Sequence, residues 1–545
     1  MRSNRLDIFL VELARLNERN HLENVFLKKR KIMKKLLLLV IIICTFSWSG
    51  YSQNSSLPFK TKEIKSDTKD DVRSIIGSDR NGVYVSGFRN SNAFIEFFDL
   101  DFNLTRSISL DGYNYNADGP NERNIEFFFI DKEREKLILA FTTYKDYVSS
   151  LYFVDIDTNS GLISDSRLVY SEKGINRKNT FAFVEDKNEI FFGVYSLLPT
   201  PSEKFESSLF MIVFNKDFKP IKSNHVTLPI KLNLEGEMDS SKKFVLLSTK
   251  GDFVFLMKIG LRKARKNGYK DYYYHVFQVS DVSGEYKQSI LGNADDKNLA
   301  DVFIHEGDSG NLICVGTYID ESGYIFPATL GVAVYTIDPR NFGDPSYSFI
   351  PFSTEQIAQL QTKKGQYLGK AIRKKYTKKR LAIGAPAFGL NSSRLEQDET
   401  ITLFGTSSAL MNVRTGSLNY TMEHGGDMYV MSLSDSRNLS IHSVQRNYFG
   451  VTSLMPNVPV FDQIGNSNGI LFLDSNKYDI KFSTVNDFGE VRTSFLASLK
   501  RTKGLKHAEI DSHWDDEEDK IYFLAKKKDL GRYVYSLIEI DLKTL

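Results

Sequence analysis

Ser78-Asp79-Arg80-Asn81-Gly82-Val83-Tyr84-Val85 is a tight polar turn followed at once by an apolar run. Its turn residues bond their own backbone or tolerate positive φ, and its β-branched and aromatic residues suit a pleated, half-buried surface. The pattern recurs. Turns at 131–136, 185–188, 249–252, 307–311, 391–398, 465–469 and 515–519 precede Leu137-Ile138-Leu139, Ile190-Phe191-Phe192, Phe253-Val254-Phe255, Leu312-Ile313-Cys314, Ile401-Thr402-Leu403, Ile470-Leu471-Phe472 and Ile521-Tyr522-Phe523. A second series of Asp/Asn/Gly turns falls later in the units, at 99–103, 155–161, 215–217, 281–284, 338–343, 435–438 and 486–489. Each unit, about sixty residues long, therefore reads as a four-stranded antiparallel sheet, long for a propeller blade.

The chain ends decide the architecture. The last unit stops at Asp541-Leu542-Lys543-Thr544-Leu545 after its third strand, while Leu57-Pro58-Phe59-Lys60-Thr61-Lys62-Glu63-Ile64 stands ahead of the first unit as a spare strand. Pairing the spare strand with the last sheet supplies the missing strand and removes an open edge between the termini. The expectation is an all-β protein, a β-propeller of eight blades with seven as the alternative count, closed by its N-terminal strand.

Composition agrees: 40 Phe and 27 Tyr against 13 Pro describe a chain with a large core rather than a disordered one. Residues 1–52 hold 10 of the 71 Lys/Arg and 4 of the 68 Asp/Glu, so the remainder carries 61 basic and 64 acidic residues, a formal charge near −3. Such a balance offers no basic face for nucleic acid.

Met33-Lys34-Lys35, the apolar run from Leu36 to Phe46 and the small residues Gly50 and Ser52 before Gln53 have the three parts of a secretory signal. The apolar run is about half of the ~20 residues a membrane-crossing helix needs, so no transmembrane helix is expected in the mature chain. Ile43 before Cys44 departs from the Gly, Ala or Ser that bacterial lipoprotein signals place there. Residues 1–32 are read as a stretch upstream of the true start at Met33, with a genuine amphipathic leader as the alternative, 33–52 as the signal peptide, and 53–545 as one propeller domain. Export would leave Cys314 as the one thiol; it lies in Leu312-Ile313-Cys314-Val315 and is read as core.

One insertion, 354–390, departs from the repeat. Ile357, Leu360, Tyr367, Leu368, Ala371 and Ile372 suit one side of a helix, and Lys370, Arg373, Lys374, Lys375 and Lys378 belong to a basic cluster on it. A basic helix can meet acidic lipid, glycan or a partner protein, but the segment reads first as a solvated helix packed across the propeller face.

Catalytic motifs are scarce. Gly307-Asp308-Ser309-Gly310 matches a serine-protease nucleophile segment, but it falls on a repeat turn and is followed by Asn311. Asp155-Ile156-Asp157-Thr158-Asn159-Ser160-Gly161 offers the alternating oxygens of a calcium loop, yet position twelve is Ser166 where a bidentate Glu is required. Asp515 and Asp516 lie in the densest acidic cluster. Asp155, Asp157, Asn159, Asp515 and Asp516 are the metal candidates, and each reads first as part of an ordinary Asp-rich turn. His424, with Glu423 and Asp427 around Gly425-Gly426, reads as a solvated glycine turn before it reads as a metal or acid-base site. No cofactor and no catalytic residue are expected.

The order Phe210-Met211-Ile212-Val213-Phe214-Asn215, Asp252-Phe253-Val254-Phe255-Leu256, Tyr274-His275-Val276-Phe277 and Leu312-Ile313-Cys314-Val315-Gly316-Thr317-Tyr318, followed by the basic insertion, resembles a group of exported, propeller-like proteins of Bacteroidota. The resemblance spans most of residues 200–500 and implies fold and export but no activity. Proteins of that phylum released by the type IX route resemble one another in ending with a sorting domain, whereas this last unit runs to Leu545, implying retention in the periplasm or at the cell envelope. The expected function is a non-catalytic, monomeric binding or scaffold propeller with a protein or glycan partner. The alternative is an envelope enzyme, a glycan hydrolase or lyase with carboxylates at the channel mouth.

Overall fold

A computed structural model describes residues 59–543 less segments between the strands, of which the longest are 229–244, 261–271 and 361–384. Among the described residues, eight antiparallel sheets follow one another along the chain as eight propeller blades. Their first strands are Val72–Asp79, Arg123–Asp131, Phe181–Glu185, Val245–Leu247, Asn298–Glu306, Phe388–Leu395, Val460–Ile464 and Ala508–Asp515, in blades 1 to 8. From blade 8 round to blade 6 these first strands adjoin in succession, which makes them the innermost. Each chain segment enters its first strand at one face of the ring, the entry face, and turns into the second strand at the other, the turn face.

The ring closes as the strand count requires. Phe59–Lys65 pairs antiparallel with Arg532–Asp541, from Phe59 opposite Ile540 to Lys65 opposite Val534, and forms the outer strand of blade 8. Lys60 Nζ reaches Asp101 at 2.8 Å and Lys62 Nζ reaches Asn103 Oδ1 at 2.8 Å, so the closing strand also grips blade 1.

Burial follows strand position. The second strands Gly82–Arg89, Lys136–Lys145 and Leu312–Ile319 are almost wholly buried and read as near-continuous apolar runs. Outer strands such as Leu104–Leu110 and Pro220–Leu228 alternate, because one face meets water. The core is a set of clusters between adjacent blades: Phe141 and Tyr84 join blades 1 and 2, Phe153 and Phe214 blades 2 and 3, and Val83 and Tyr535 blades 1 and 8. Each fully buried Phe contributes about 1.5–3 kcal/mol. Cys314 sits fully buried between blades 4 and 5, and burial pushes its thiol far up.

The later turns share one construction. Asp99 Oδ1 accepts from the N–H groups of Asp101 and Asn103, Asn215 Oδ1 from Asp217 and Lys219, and Asn486 Oδ1 from Phe488 and Glu490. The fourth residue of each turn has positive φ: Phe102 at 58°, Phe218 at 53° and Gly489 at 78°. The side-chain cap holds even a Phe in the left-handed region.

The insertion differs from its expected extent. One α-helix is described, α1, Thr354–Leu360; it buries Ile357 and Leu360 in the cluster between blades 5 and 6. Phe388 and Leu390, expected in the insertion, are buried in the first strand of blade 6 because both complete that cluster. The Gly425-Gly426 turn is also corrected. Both glycines lie inside the strand Leu418–Leu433, which pairs with Ile401–Thr415 as far as Thr415 opposite Leu418 and takes a register irregularity near Ser408. This hairpin runs past its blade, and Tyr448–Val451 pairs on its flank. Among the described residues, no helix is long and apolar enough to cross a membrane.

Candidate functional site

A cavity of about 490 Å³ opens between blades 1 and 2 at the entry face. Val72, Ile75, Ile76 and Phe88 line it from blade 1, and Ile125 to Phe128 line it from blade 2. Its shape depends on β-bulges. The innermost strand of blade 1 gains a residue between Ile75 and Gly77, and that of blade 2 gains Glu126 between Ile125 and Phe127. A bulge breaks the two-residue alternation and re-aims a side chain, which brings Glu126 into the wall of an otherwise apolar strand.

Glu126 also joins blades. It accepts from Asn124 Nδ2 at 2.8 Å and Thr142 Oγ1 at 2.6 Å, and its other oxygen takes the backbone N–H of Phe181, the first residue of blade 3, at 3.2 Å. Blade 5 repeats the device. Its innermost strand is irregular between Ala300 and Phe303, Asp301 has φ 49°, and Asp301 Oδ2 accepts from the N–H of Leu390 in blade 6 at 3.2 Å. Each acidic bulge residue thus fixes the next blade. Sequence reasoning missed both; the signal is one carboxylate interrupting an apolar first strand, in Ile125-Glu126-Phe127-Phe128 and Ala300-Asp301-Val302-Phe303.

Behind the cavity, Arg73 and Glu96 form a buried ion pair with side chains 2% and 5% exposed. The Arg73 guanidinium lies over the Phe94 ring at 5.4 Å and the Tyr535 ring at 5.7 Å, and Arg89 approaches Glu96 at 3.6 Å. Burying such charges is tolerable only with this kind of pairing.

At the turn face, two ion pairs pass over an intervening blade: Lys132 of blade 2 reaches Asp515 of blade 8 at 3.3 Å, and Lys187 of blade 3 reaches Asp308 of blade 5 at 2.8 Å.

The sequence-derived candidates scatter. Asp155 faces Lys136 at 3.4 Å and Arg167 at 3.6 Å on the outer part of blade 2. Asp157 caps its own turn, where the N–H and hydroxyl of Ser160 hold its carboxyl below the usual range. Asn159 donates to Glu135, and Asp515 is buried on blade 8. The calcium-loop reading is therefore not assembled, because turn donors and cations occupy the oxygens. Among the described residues, no group of three or more His, Cys, Asp or Glu could hold a metal. Asp516, Lys370, Arg373, Lys374, Lys375 and Lys378 lie outside the described residues, as do the side chains of Glu423 and His424. Gly307 to Gly310 form the expected turn of blade 5, closed by the Gly310 N–H on the Gly307 carbonyl at 2.9 Å.

No family model and no curated protein matches the sequence. Among solved structures, a polysaccharide lyase aligns with a TM-score of 0.39 at 11% identity, over 89% of this chain and 100% of that one. An ulvan lyase bound to a glucuronate–rhamnose sulfate unit aligns with a TM-score of 0.37 at 12% identity, over 74% of this chain and 90% of that one. A puromycin hydrolase aligns with a TM-score of 0.38 at 11% identity, over 84% of this chain and 58% of that one.

Proposed function

We propose that this propeller is a non-catalytic binding or scaffold protein of the bacterial cell envelope, exported by the signal peptide at residues 33–52 and offering its entry face to a protein or glycan partner. One observation carries the reading. Among the described residues, several buried carboxylates are engaged in the architecture: Glu96 with Arg73, Glu126 with three donors, Asp252 with Lys222 at 3.0 Å, Glu306 with Thr249, and Asp515 with Ser78 and Lys132. A general acid or base exchanges a proton with substrate, and these groups are instead bonded to partners within the fold. The basic cluster at 363–380 is proposed as a docking element for that partner. Export and the envelope rest on the sequence alone.

The test is turnover. The purified protein, incubated with envelope glycans and uronate-containing polysaccharides, is expected to release neither reducing ends nor unsaturated uronate above background. Turnover that Glu126→Gln abolishes while the fold persists would establish the enzyme reading instead.

A further inference from the structure

The geometry points to the cavity between blades 1 and 2 as a binding site for an uncharged, largely apolar small molecule that carries a ring. Its volume, about 490 Å³, falls within the ~300–1,000 Å³ of small-molecule sites. Its walls are chiefly branched aliphatic and phenyl groups. Val72, Ile75, Ile76, Phe88, Phe127 and Phe128 all line the cavity, and all six keep part of their surface exposed. Apolar surface of this kind, gathered in one concave place, is what an apolar ligand covers with a gain in free energy.

The polar groups in the wall narrow the class. Arg73 is held by Glu96, and Glu126 accepts from Asn124, Thr142 and the Phe181 N–H. A charged ligand would exchange its hydration for groups already engaged, so the site selects against net charge. A sugar would bring more hydroxyls than the hydroxyls of Ser74 and Ser86 can meet. A peptide adding as a strand finds the inner edge of blade 2 taken at this mouth, because Tyr113–Asn114 already pairs in parallel with Arg123 and Asn124.

The inference goes beyond the binding reading, because it gives this cavity a small ligand of its own, separate from the protein or glycan partner of the face around it. Its test uses the full folded chain and two fluorescent dyes, neutral N-phenylnaphthylamine and anionic anilinonaphthalene sulfonate. The neutral dye is expected to bind saturably at one site, and the sulfonate at least tenfold more weakly. Val72→Trp places a large ring at a wall position that is 47% exposed; it is expected to weaken the neutral dye at least tenfold with the melting temperature kept. Ser74→Trp, at a second exposed wall position, is expected to do the same and carries the test should Val72→Trp not fold. Non-saturable binding, equal affinity for both dyes, or unchanged binding in a folded tryptophan variant would overturn the site. Displacement of the dye by an aromatic peptide but not by indole would overturn the small-molecule class in favour of a partner protein. Glycan turnover scored on the same preparation keeps the two readings apart: turnover with dye binding intact defeats only the non-catalytic reading.

Discussion

Lys132 and Asp515 are 383 positions apart and belong to blades 2 and 8, yet Lys132 Nζ lies 3.3 Å from the Asp515 carboxylate over the end of blade 1. Burial pushes the Asp515 carboxyl up, but the Ser78 hydroxyl, the Lys132 charge and the Glu518 N–H outweigh it and hold it below its ordinary range. A carboxylate with a lowered folded value stabilises the protein above its unfolded value of about 4, and that stability is lost as pH falls through the folded value. Asp515→Ala is expected to cost about 3 kcal/mol at neutral pH, since it strands the buried Ser78 hydroxyl, and to flatten the acid limb below about pH 4. Lys132→Met, whose ammonium is partly solvated, is expected to cost about 1 kcal/mol. Urea unfolding across a pH series measures both.

The closing strand carries a second prediction. A chain beginning at Asp67 lacks Phe59–Lys65 and exposes the edge of Arg532–Asp541, with Ile538 and Ile540 now unflanked. Loss of several kcal/mol and concentration-dependent association are expected, because an uncovered apolar edge strand recruits another copy. Urea midpoints and size-exclusion chromatography, against a chain beginning at Ser55, test this; equal midpoints would separate ring closure from stability.

The acidic bulges predict paired, independent losses. Glu126→Ala removes the acceptor of Thr142 and the Phe181 N–H, and Asp301→Ala removes that of the Leu390 N–H. Costs of about 2 and about 1 kcal/mol follow from the donors left unsatisfied. The two act on different blade pairs, so the double variant is expected to sum the single effects within about 0.5 kcal/mol.

His305 supplies a pH signature of opposite chemistry. Burial lowers its imidazole to about 4, and its Nε2 lies 2.7 Å from Ser393 Oγ across blades 5 and 6. The unfolded chain takes up that proton near 6.5, so stability falls as pH drops from about 6.5 towards 4. His305→Gln is expected to remove much of this slope while Ser393→Ala retains it. Melting temperatures between pH 7 and 4 read the difference.

The sequence by itself determined the repeat and the closure, and it favoured eight blades over seven. Turn chemistry at 78–82 and its equivalents is local, the alternation of outer strands is local, and a final unit one strand short beside a spare leading strand leaves one economical pairing. Cys314 as core was legible for the same reason, from its apolar neighbours. The Asp155 to Asn159 spacing is shared by any Asp-rich turn, so the sequence favoured a turn over a calcium loop, and the structure adds that Lys136, Arg167 and Ser160 are the partners of Asp155 and Asp157. What tertiary structure alone decided is how neighbouring sheets meet. The reach of Lys132 to Asp515, the hold of Glu126 on Phe181 and the cavity beneath Phe88 depend on the stagger between blades and on bulges that break the strand period. Those displacements arise from packing between segments far apart in the chain, which no local pattern of residues encodes.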